Sequence, residues 1–466
     1  MARTIEPEPI PHYRSPVTDP RHTPLTRRRL LARGAALATL PFGAAAALGQ
    51  QSEADVIIIG AGTAGISAAR RVAEAGRSYA LLEASAHVGG RTVTDTAVFG
   101  VPFDMGATRL YLPAARPMAA FGRADGLDIH RAPQGGRLYQ SGREASDSDY
   151  EDFIATVRRA ERAIGAAGDA GRDLPASRVL PDLGPWSASA RFVVGPLACA
   201  KGLGQVSTVD ASRAEERDGE EVCRQGVGTL VTRLARPLTV RLETVARSVD
   251  LGGRLVAVQT NRGTVLGRVV ILAVPPSLLA AGKLRVLPGL PQRYRTAIEK
   301  ITLGAYDHIA FQLPRNPLGL SPDEMIYFKL EGTNAYALRA RIGGGDLHML
   351  EVAGDTAAGL AEAPAEAATA FLKEALTREF GADMAARIGR VHATRWTREP
   401  FALGAFSCAL PGFGNMRRAF TEVVSGRLLF AGEHAHETLW GTVGGAWVAG
   451  ERAARQALGI LAGRSG

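Results

Sequence analysis

The stretch that most constrains the fold is DVIIIGAGTAGISAARRVAEAGRSYALLEASAHVGGRT at residues 55–92. Its β-branched run at 56–59 is typical of a parallel strand that is covered on both faces. A glycine-rich turn and a helical pattern over 64–75 follow, and a second apolar run at 79–82 ends in Glu83. This order of strand, turn, helix, strand and acid predicts a βαβ unit that binds a dinucleotide.

Each glycine of the turn has its own task in such a unit. Gly60 makes the tight turn, Gly62 lets the backbone approach a pyrophosphate, and Gly65 lets helix and strand pack closely. The helix N-terminus then faces the phosphates, and the carboxylate of Glu83 accepts hydrogen bonds from a ribose diol. An ordinary glycine-rich turn is the competing interpretation, and the complete set of strands, helix and acid argues against it.

Residues 1–52 differ in composition from the rest of the chain. The sequence TRRRLL at 26–31 precedes a weakly apolar, alanine-rich run at 34–48. Arginines followed by such a run are typical of a twin-arginine export signal. The apolar run is too short and too rich in alanine for a membrane span. We therefore expect a periplasmic or secreted protein that the twin-arginine translocase exports already folded. A disordered basic tail is the competing interpretation.

Charge and cysteine content test whether the chain resembles a nucleic-acid-binding or a metal-binding protein. The formal net charge is +9, and residues 1–52 contribute +4 of it because they hold seven arginines and three acids. The mild remainder gives no reason to expect nucleic acid binding. The three cysteines, Cys199, Cys223 and Cys408, do not have the spacing of metal ligands, so we expect no metal site and buried thiols.

A short motif narrows the choice of dinucleotide. The sequence Gly89-Gly90-Arg91-Thr92 follows the βαβ unit. It resembles the GGR motif of the flavin-containing amine oxidases, the family of the monoamine oxidases and L-amino acid oxidases. The segment LLFAGEHAHETLWGTVGGAWV at 428–448 resembles a second motif of the same family. The resemblance covers nearly all of the chain after residue 52 and implies FAD as the cofactor.

The resemblance also implies an α/β fold with a discontinuous Rossmann-type FAD-binding domain, a mixed α+β substrate domain and a helical insertion. The predicted parts are a signal region at 1–52, an FAD-binding domain at 53–111, 223–283 and 391–466, a helical or substrate insertion at 112–222, and a substrate-binding domain at 284–390. Residue patterns predict helices at 150–166 and 365–380 and a helical segment within 186–209. They predict strands at 240–249, 255–259, 264–272, 309–313, 336–342 and 347–352.

Several residues are expected at FAD because of their place in the family motifs. The backbone of the DMGATRL segment would pass the flavin ring, a valine backbone would meet the adenine, and the C-terminal acid would bond the ribityl chain. Some members of the family link FAD covalently through a cysteine at the position of Ala405. Alanine cannot form that bond, so we expect noncovalent FAD. The expected FAD contacts are Gly60, Gly62, Gly65, Glu83, Gly90, Arg91, Met105, Gly106, Ala107, Thr108, Val245, Trp396, Glu433 and Val443.

Four other positions bear on the substrate. Arg109 lies where the L-amino acid oxidases have an arginine that grips the substrate carboxylate, a task suited to a bidentate guanidinium. A structural arginine is the competing interpretation. Phe406 falls at the first aromatic wall facing the flavin. The second wall, commonly a tyrosine, aligns with Thr442, and whether Trp440 supplies it instead is open.

His308 departs from the family pattern. The family usually has a lysine here, which holds a water near flavin N5 and assists the reaction with oxygen. A histidine could hold the same water and titrates near neutral pH; a buried strand histidine without this role is the competing interpretation. The substitution weakens the expectation of fast oxygen reduction and leaves a cytochrome or quinone as an alternative acceptor.

The chemistry that the resemblance implies is oxidation of an amine to an imine by hydride transfer to flavin N5, with oxygen reduced to hydrogen peroxide. An L-amino acid is the substrate that Arg109 favours. The first alternative is a periplasmic FAD-dependent amine dehydrogenase or desaturase-like oxidoreductase. The second is a protein that retains FAD without turnover.

Overall fold

The structure, a computed structural model, describes residues 52–215, 219–332 and 335–463. The predicted export signal lies outside the described residues except for Ser52. The strands are β1 Ser52–Ile59, β2 Tyr79–Leu82, β3 Thr94–Asp95, β4 Phe103–Asp104, β5 Leu110–Tyr111, β6 Ile129–Arg131, β7 Arg137–Gln140, β8 Arg143–Glu144, β9 Glu220–Cys223, β10 Val240–Arg241, β11 Ala246–Asp250, β12 Val256–Thr260, β13 Gly263–Leu272, β14 Arg285–Leu287, β15 Ile301–Leu303, β16 Tyr306–Gln312, β17 Met325–Phe328, β18 Tyr336–Arg339, β19 Leu347–Ala353, β20 Val391–Ala393, β21 Ser407–Ala409 and β22 Leu428–Phe430.

The α-helices lie between groups of these strands, and the last helix follows the last strand. They are α1 Thr63–Glu74, α2 Arg116–Ala124, α3 Asp147–Asp169, α4 Ser187–Phe192, α5 Thr208–Ser212, α6 Val227–Ala235, α7 Pro276–Ala280, α8 Gln292–Lys300, α9 Asp355–Glu362, α10 Glu366–Phe380, α11 Ala382–Ala385 and α12 Val443–Leu461. No helix in the described ranges is long and apolar enough to cross a membrane.

The larger sheet is built around the predicted βαβ unit. Its strand order is β10-β2-β1-β13-β12-β11-β14, and β22 also pairs with β13. Strand β1 pairs in parallel with β2 and β13, as the β-branched run predicts. Val56 and Ile58 belong to a core shared with α1 and α12, whereas Ile57 and Ile59 belong to the core on the other face of the sheet. Two buried faces explain the unbroken apolar run.

The second sheet has the order β20-β16-β19-β18-β17-β7-β8. Most neighbouring strands in it are antiparallel, and β17 with β7 is the parallel pair. Strands β16, β18 and β19 and helix α10 lie where the sequence pattern predicts them, and their ends differ from the predicted ends by up to three residues. The strand predicted at 336–342 is shorter, since β18 ends at Arg339.

The structure differs from the sequence predictions at several elements. The strand predicted over 240–249 is two strands, β10 and β11, with Val245 in the connection. The helical segment predicted within 186–209 is the short helix α4, which is followed by single turns and the start of α5 because a proline and several glycines interrupt the range. The insertion is not purely helical either: β7 and β8 lie within it and belong to the second sheet, and β14 joins the larger sheet although it follows the predicted boundary at 284.

Candidate active site

A cavity of about 750 Å³ opens at the carboxyl ends of β1 and β2. Ligands bind at this edge in open α/β sheets. The cavity walls include the N-terminal residues of α1 and α12 and three side chains of the second sheet, Tyr306, His308 and Arg339. Among the described residues, no group of three or more His, Cys, Asp or Glu side chains could hold a metal ion.

The turn from β1 into α1 is closed to side chains at its first and third glycines. Gly60 has a φ of +103°, and a Cβ there would lie 2.6 Å from the carbonyl oxygen of Ala273. A Cβ on Gly65 would lie 1.8 Å from the carbonyl oxygen of Gly60, so this third glycine lets the helix rest on the turn. Gly60 and Gly62 line the cavity, and the approach of a pyrophosphate to Gly62 and to the amides at the start of α1 stays a prediction.

Glu83 lies at the end of β2 with its carboxylate buried beside the turn. Oε2 accepts a hydrogen bond from the N–H of Ala61 at 2.7 Å, and Oε1 accepts from the N–H and hydroxyl of Ser85 at 2.9 Å each. Glu83 lines the cavity. These bonds hold the carboxylate where a ribose diol is expected.

Arg91 joins the two distant motifs. Its Nη1 donates to the carbonyl of Ala405 at 2.6 Å and to Oε1 of Glu433 at 2.9 Å. Its Nε and Nη2 have no hydrogen-bond partner in the described ranges, and both Arg91 and Gly90 line the cavity. The arginine therefore offers two donors to an anionic ligand, as the diphosphate role requires.

Glu433 is a buried junction of the site. Oε1 accepts from Arg91, and Oε2 accepts from the hydroxyl of Ser407 at 2.6 Å and the N–H of Gly441 at 2.9 Å. Burial on its own would raise the pKa of Glu433, but the charges of Arg91 and Arg417 and the bond from Ser407 lower it to about 2. The carboxylate is thus ionised and joins three segments of the cavity wall; its contact with a ribityl chain stays a prediction.

The segment 105–107 forms a flat backbone surface on the cavity wall. The N–H groups of Met105 and Ala107 donate to the carbonyls of Val93 at 2.9 Å and Arg91 at 3.1 Å. A Cβ on Gly106 would lie 2.0 Å from the Arg91 oxygen and 3.1 Å from the ring of Trp396. Gly106 is therefore required by packing against Arg91 and Trp396. Residues 105–107, with Thr108 and Trp396, line the cavity, and their contact with a flavin ring stays a prediction.

The N-terminus of α12 meets the opposite side of the cavity. Thr442 caps it: its hydroxyl accepts from the N–H of Gly445 at 2.9 Å and donates to the carbonyl of Leu439 at 2.7 Å. Thr442 and Val443 line the cavity. The cap explains why a threonine stands where an aromatic wall was expected, and the helix dipole favours negative charge at this point.

Val245 lines the cavity, as predicted, but with a different use of its backbone. Its N–H donates to Oδ1 of Asn261 at 2.8 Å, and its carbonyl accepts from the N–H of Asn261 at 3.1 Å. Both groups are thus engaged within the protein. The carbonyl oxygen keeps a second lone pair, and the contact between this backbone and an adenine stays a prediction.

His308 lies on β16 with a buried ring that lines the cavity. Nδ1 lies 3.2 Å from the carbonyl oxygen of Asp104, which can only accept, so Nδ1 carries the proton and Nε2 has a lone pair. Burial lowers the pKa of His308, against the opposing effects of Glu351 and of the Asp104 carbonyl. The ring is therefore neutral at pH 7, and Nε2 has no hydrogen-bond partner among the described residues.

Tyr306 and Phe406 form an aromatic pair on the cavity wall. Their ring centroids are 5.8 Å apart, and both residues line the cavity. The Tyr306 hydroxyl donates to Oε2 of Glu351 at 2.8 Å, and burial raises the pKa of this tyrosine well above its usual value. Phe406 is placed as predicted, and Tyr306, which sequence reasoning missed, supplies a second aromatic side chain.

Trp440, for which a place in the second aromatic wall was left open, does not line the cavity. Its ring is fully buried in an apolar cluster of the insertion. Its Nε1 donates to the carbonyl of Asp210 at 3.3 Å, and the guanidinium of Arg417 lies 4.9 Å from the ring centroid. Asp210 and Arg417 form a buried ion pair at 2.6 Å, and Trp440 packs on that pair instead of on a ligand.

Arg109 is buried and lines the cavity. Its Nε lies 3.4 Å from Oε2 of Glu220, and its Nη1 is buried without a hydrogen-bond partner in the described part of the chain. A buried guanidinium nitrogen without an acceptor is costly, so such atoms usually meet a partner. The structure thus places Arg109 on the cavity wall with an unpaired nitrogen, and its role as a carboxylate clamp stays a prediction.

Comparison with known proteins agrees with this geometry. The sequence profile of the flavin containing amine oxidoreductase family matches residues 63–168 and 182–458. The chain belongs to this family. Protein FLOWERING LOCUS D from Arabidopsis thaliana is 26% identical over 439 residues, which cover 87% of this chain and 55% of that protein. Probable polyamine oxidase 4 of the same plant is 25% identical over 462 residues, covering 89% and 90%.

The chain spans about half the length of the first curated relatives that it matches. Among solved structures, putrescine oxidase with bound putrescine superimposes with a TM-score of 0.73 at 21% identity, over 88% of this chain and 100% of that chain. This likeness confirms the α/β fold with a Rossmann-type FAD-binding domain. The cofactor of the family is FAD, and the glycine turn, the free nitrogens of Arg91 and the bare backbone at Gly106 fit it.

Sequence reasoning missed other residues of this flavoprotein's cavity besides Tyr306. A signal for Tyr306 exists, because it lies two residues before His308 on one strand and so shares its face. The missed wall residues Tyr111, Leu197 and Arg339 come from three elements that are distant in sequence. No local pattern marks them, since the cavity assembles only when the second sheet meets the FAD-binding sheet.

Proposed function

We propose that this chain is an FAD-dependent amine oxidoreductase whose substrate carries a carboxylate, as an amino acid does. The observation that supports it is the buried Arg109 on the cavity wall, with Nη1 lacking an acceptor. The names of relatives and fold neighbours refer to polyamine and putrescine, which have no carboxylate. A cavity with a buried arginine suits an anionic group better than a second ammonium.

Bound FAD supplies the two-electron oxidation of the carbon–nitrogen bond. The protein's part is to hold the substrate and keep its amine neutral. Tyr306 and Phe406 offer flat apolar surfaces. The unprotonated Nε2 of His308 can accept a hydrogen bond from the amine, and burial, which lowers the pKa of this ring, keeps a positive charge away from it. The N-terminus of α12 directs its positive end at the cavity, where negative charge on a reduced cofactor is stabilised.

Arg109→Met tests the carboxylate contact. We expect kcat/KM for L-amino acids to fall by roughly 100-fold, because the substrate carboxylate loses a buried charged partner. Turnover of matched amines without the carboxylate should change little. Anaerobic bleaching of the flavin band measures both. Arg123→Met is the control, since Arg123 pairs with Glu221 at 2.6 Å on the same strand as Glu220 but does not line the cavity. Unchanged amino acid oxidation in Arg109→Met would contradict the proposal.

A second candidate function, an amine dehydrogenase that passes electrons to a cytochrome or quinone, is favoured by His308. The neutral ring places no positive charge where the family usually has a lysine. We expect His308→Lys to speed reoxidation of the reduced enzyme by oxygen about 10-fold or more, because a cation stabilises the developing superoxide charge. Stopped-flow mixing with oxygen and with cytochrome c measures this. Fast wild-type reoxidation by oxygen, unaltered by the lysine, would exclude this second function.

We also propose that residues 1–52 direct export of the folded flavoprotein to the periplasm. The support is the TRRRLL sequence and the alanine-rich run after it. Fractionation of cells that express the full chain, with flavin absorbance measured in each fraction, tests this localisation.

A further inference from the structure

A second buried arginine lies on the cavity wall. Arg339, the last residue of β18, is 7% exposed. Its Nε donates to Oε1 of Glu351 at 2.8 Å, and its Nη2 lies 2.6 Å from the same oxygen. Its Nη1 is buried without a hydrogen-bond partner in the described part of the chain. The guanidinium is thus held on one side by a carboxylate and unsatisfied on the other.

Arg109 has the same arrangement on a different element. A glutamate, Glu220, lies at its Nε, and its Nη1 lacks an acceptor. The two arginines reach the cavity from separate parts of the chain, one from the segment before β5 and one from the second sheet. Each arginine thus has a nitrogen that lacks an acceptor, and two guanidiniums on the wall of one cavity suit a ligand with more than one anionic oxygen.

Glu351 keeps Arg339 in place and is itself fully engaged. It lies on β19 opposite His308 and accepts from the Tyr306 hydroxyl at 2.8 Å as well as from Arg339. Both of its oxygens are therefore committed to the protein. Glu351 is not a cavity-lining residue, so it is a positioning residue for Arg339 and not a partner for a substrate ammonium.

We propose that the substrate is an amine with two acidic groups, one held by Arg109 and the other by Arg339. The chemical class is the acidic amino acids, with an α-carboxylate and a distal carboxylate. This inference rests on the proposed amine oxidation. A distal amide of the same size would accept a hydrogen bond through its carbonyl oxygen but carries no charge, so it interacts less strongly with a guanidinium than a carboxylate does.

The wild-type holoenzyme tests the inference without any variant. We expect L-glutamate or L-aspartate to bleach the flavin anaerobically with kcat/KM at least about 10-fold above that of the matching amide, L-glutamine or L-asparagine. Glutarate, which has no amine, should raise the melting temperature of the holoenzyme more than glutaramate does. Equal rates for acid and amide would overturn the second acidic group and leave amine oxidation standing. Absence of bleaching by any amine would overturn both proposals.

Variants assign the discrimination to Arg339. In Arg339→Met the preference for acid over amide should fall to near unity, whereas Arg109→Met should slow both substrates alike. In Arg339→Met the carboxylate of Glu351 is left buried without its partner. The double variant Arg339→Met/Glu351→Gln removes both charges, so if the preference for acid over amide is lost there too, the unpaired Glu351 carboxylate is not the cause. Arg137→Met is the control, because Arg137 is an ion-paired arginine of the same sheet outside the cavity. An acid preference that survives in Arg339→Met would overturn the assignment.

Discussion

Glu433→Gln is expected to yield a protein that unfolds at much lower urea concentration and retains little FAD. The carboxylate of Glu433 accepts bonds from Arg91, Ser407 and Gly441, and an amide nitrogen in its place would face one of these donors. Loss of one partner from a buried, hydrogen-bonded charge network costs about 3–5 kcal/mol of unfolding free energy. Urea unfolding and the ratio of flavin to protein absorbance measure the two effects.

The pH dependence of stability provides a second measurement on the same variant. The pKa of Glu433 is about 2 in the folded protein against 4.5 ordinarily, so ionisation stabilises the folded state by about 3 kcal/mol. This contribution is complete above pH 4.5 and is lost as the pH falls toward 2. The free-energy difference between wild type and Glu433→Gln should therefore be largest near pH 7 and shrink below pH 4.5. A difference that stays constant down to pH 3 would contradict a depressed pKa.

The FAD-binding half of the cavity was predictable because its signals are local. A β-branched run, three glycines and an acid each report a backbone requirement within a few residues of where they stand. The pairing of β1 with β2, and the positions of Glu83 and Arg91, follow from these requirements. The helix that starts at Val443 is marked in the same way, by the Gly444-Gly445 pair.

The substrate half was predictable only in part, because its side chains are brought together by tertiary packing. Alignment to a family motif suggested an aromatic wall at Thr442 or Trp440, but a helix cap and a buried ion pair use these two residues. Tyr306 supplies an aromatic side chain from another strand. The position of a residue in a motif gives its place along the chain but does not determine which residues its side chain contacts in the folded protein.

The insertion shows the same dependence on tertiary context. The apolar spacing over 150–166 is sustained, and α3 forms there with Ser146 accepting a cap bond from the N–H of Asp149 at 3.2 Å. The run at 186–209 has a comparable apolar content but contains Pro196 and several glycines, which divide it. Short β7 completes the second sheet by pairing with β17, almost two hundred residues later, which no local pattern can indicate.

Gly65→Ala is expected to abolish FAD binding and to lower stability by about 3 kcal/mol or more. The new Cβ would lie 1.8 Å from the carbonyl oxygen of Gly60, which is backbone and cannot rotate away. Helix α1 would have to move away from the turn, and its N-terminal amides would leave the position where a diphosphate is bound. Flavin absorbance after gel filtration and urea unfolding of the apoprotein measure the two losses.

The matched controls for this variant are Gly165→Ala in α3 and Gly459→Ala in α12. Both glycines are also within helices, and a Cβ on either would have no atom within 4 Å outside the local chain. Removing a flexible residue from an open helical position should raise stability by about 0.5–1 kcal/mol and leave FAD bound. The same substitution is thus expected to lower stability at Gly65 and to raise it at the two control sites. Helix propensity favours alanine at all three sites, but only at Gly65 would the new Cβ clash with backbone. If Gly65→Ala bound FAD as well as these controls do, the close packing of α1 on the β1 turn would not be what positions the diphosphate.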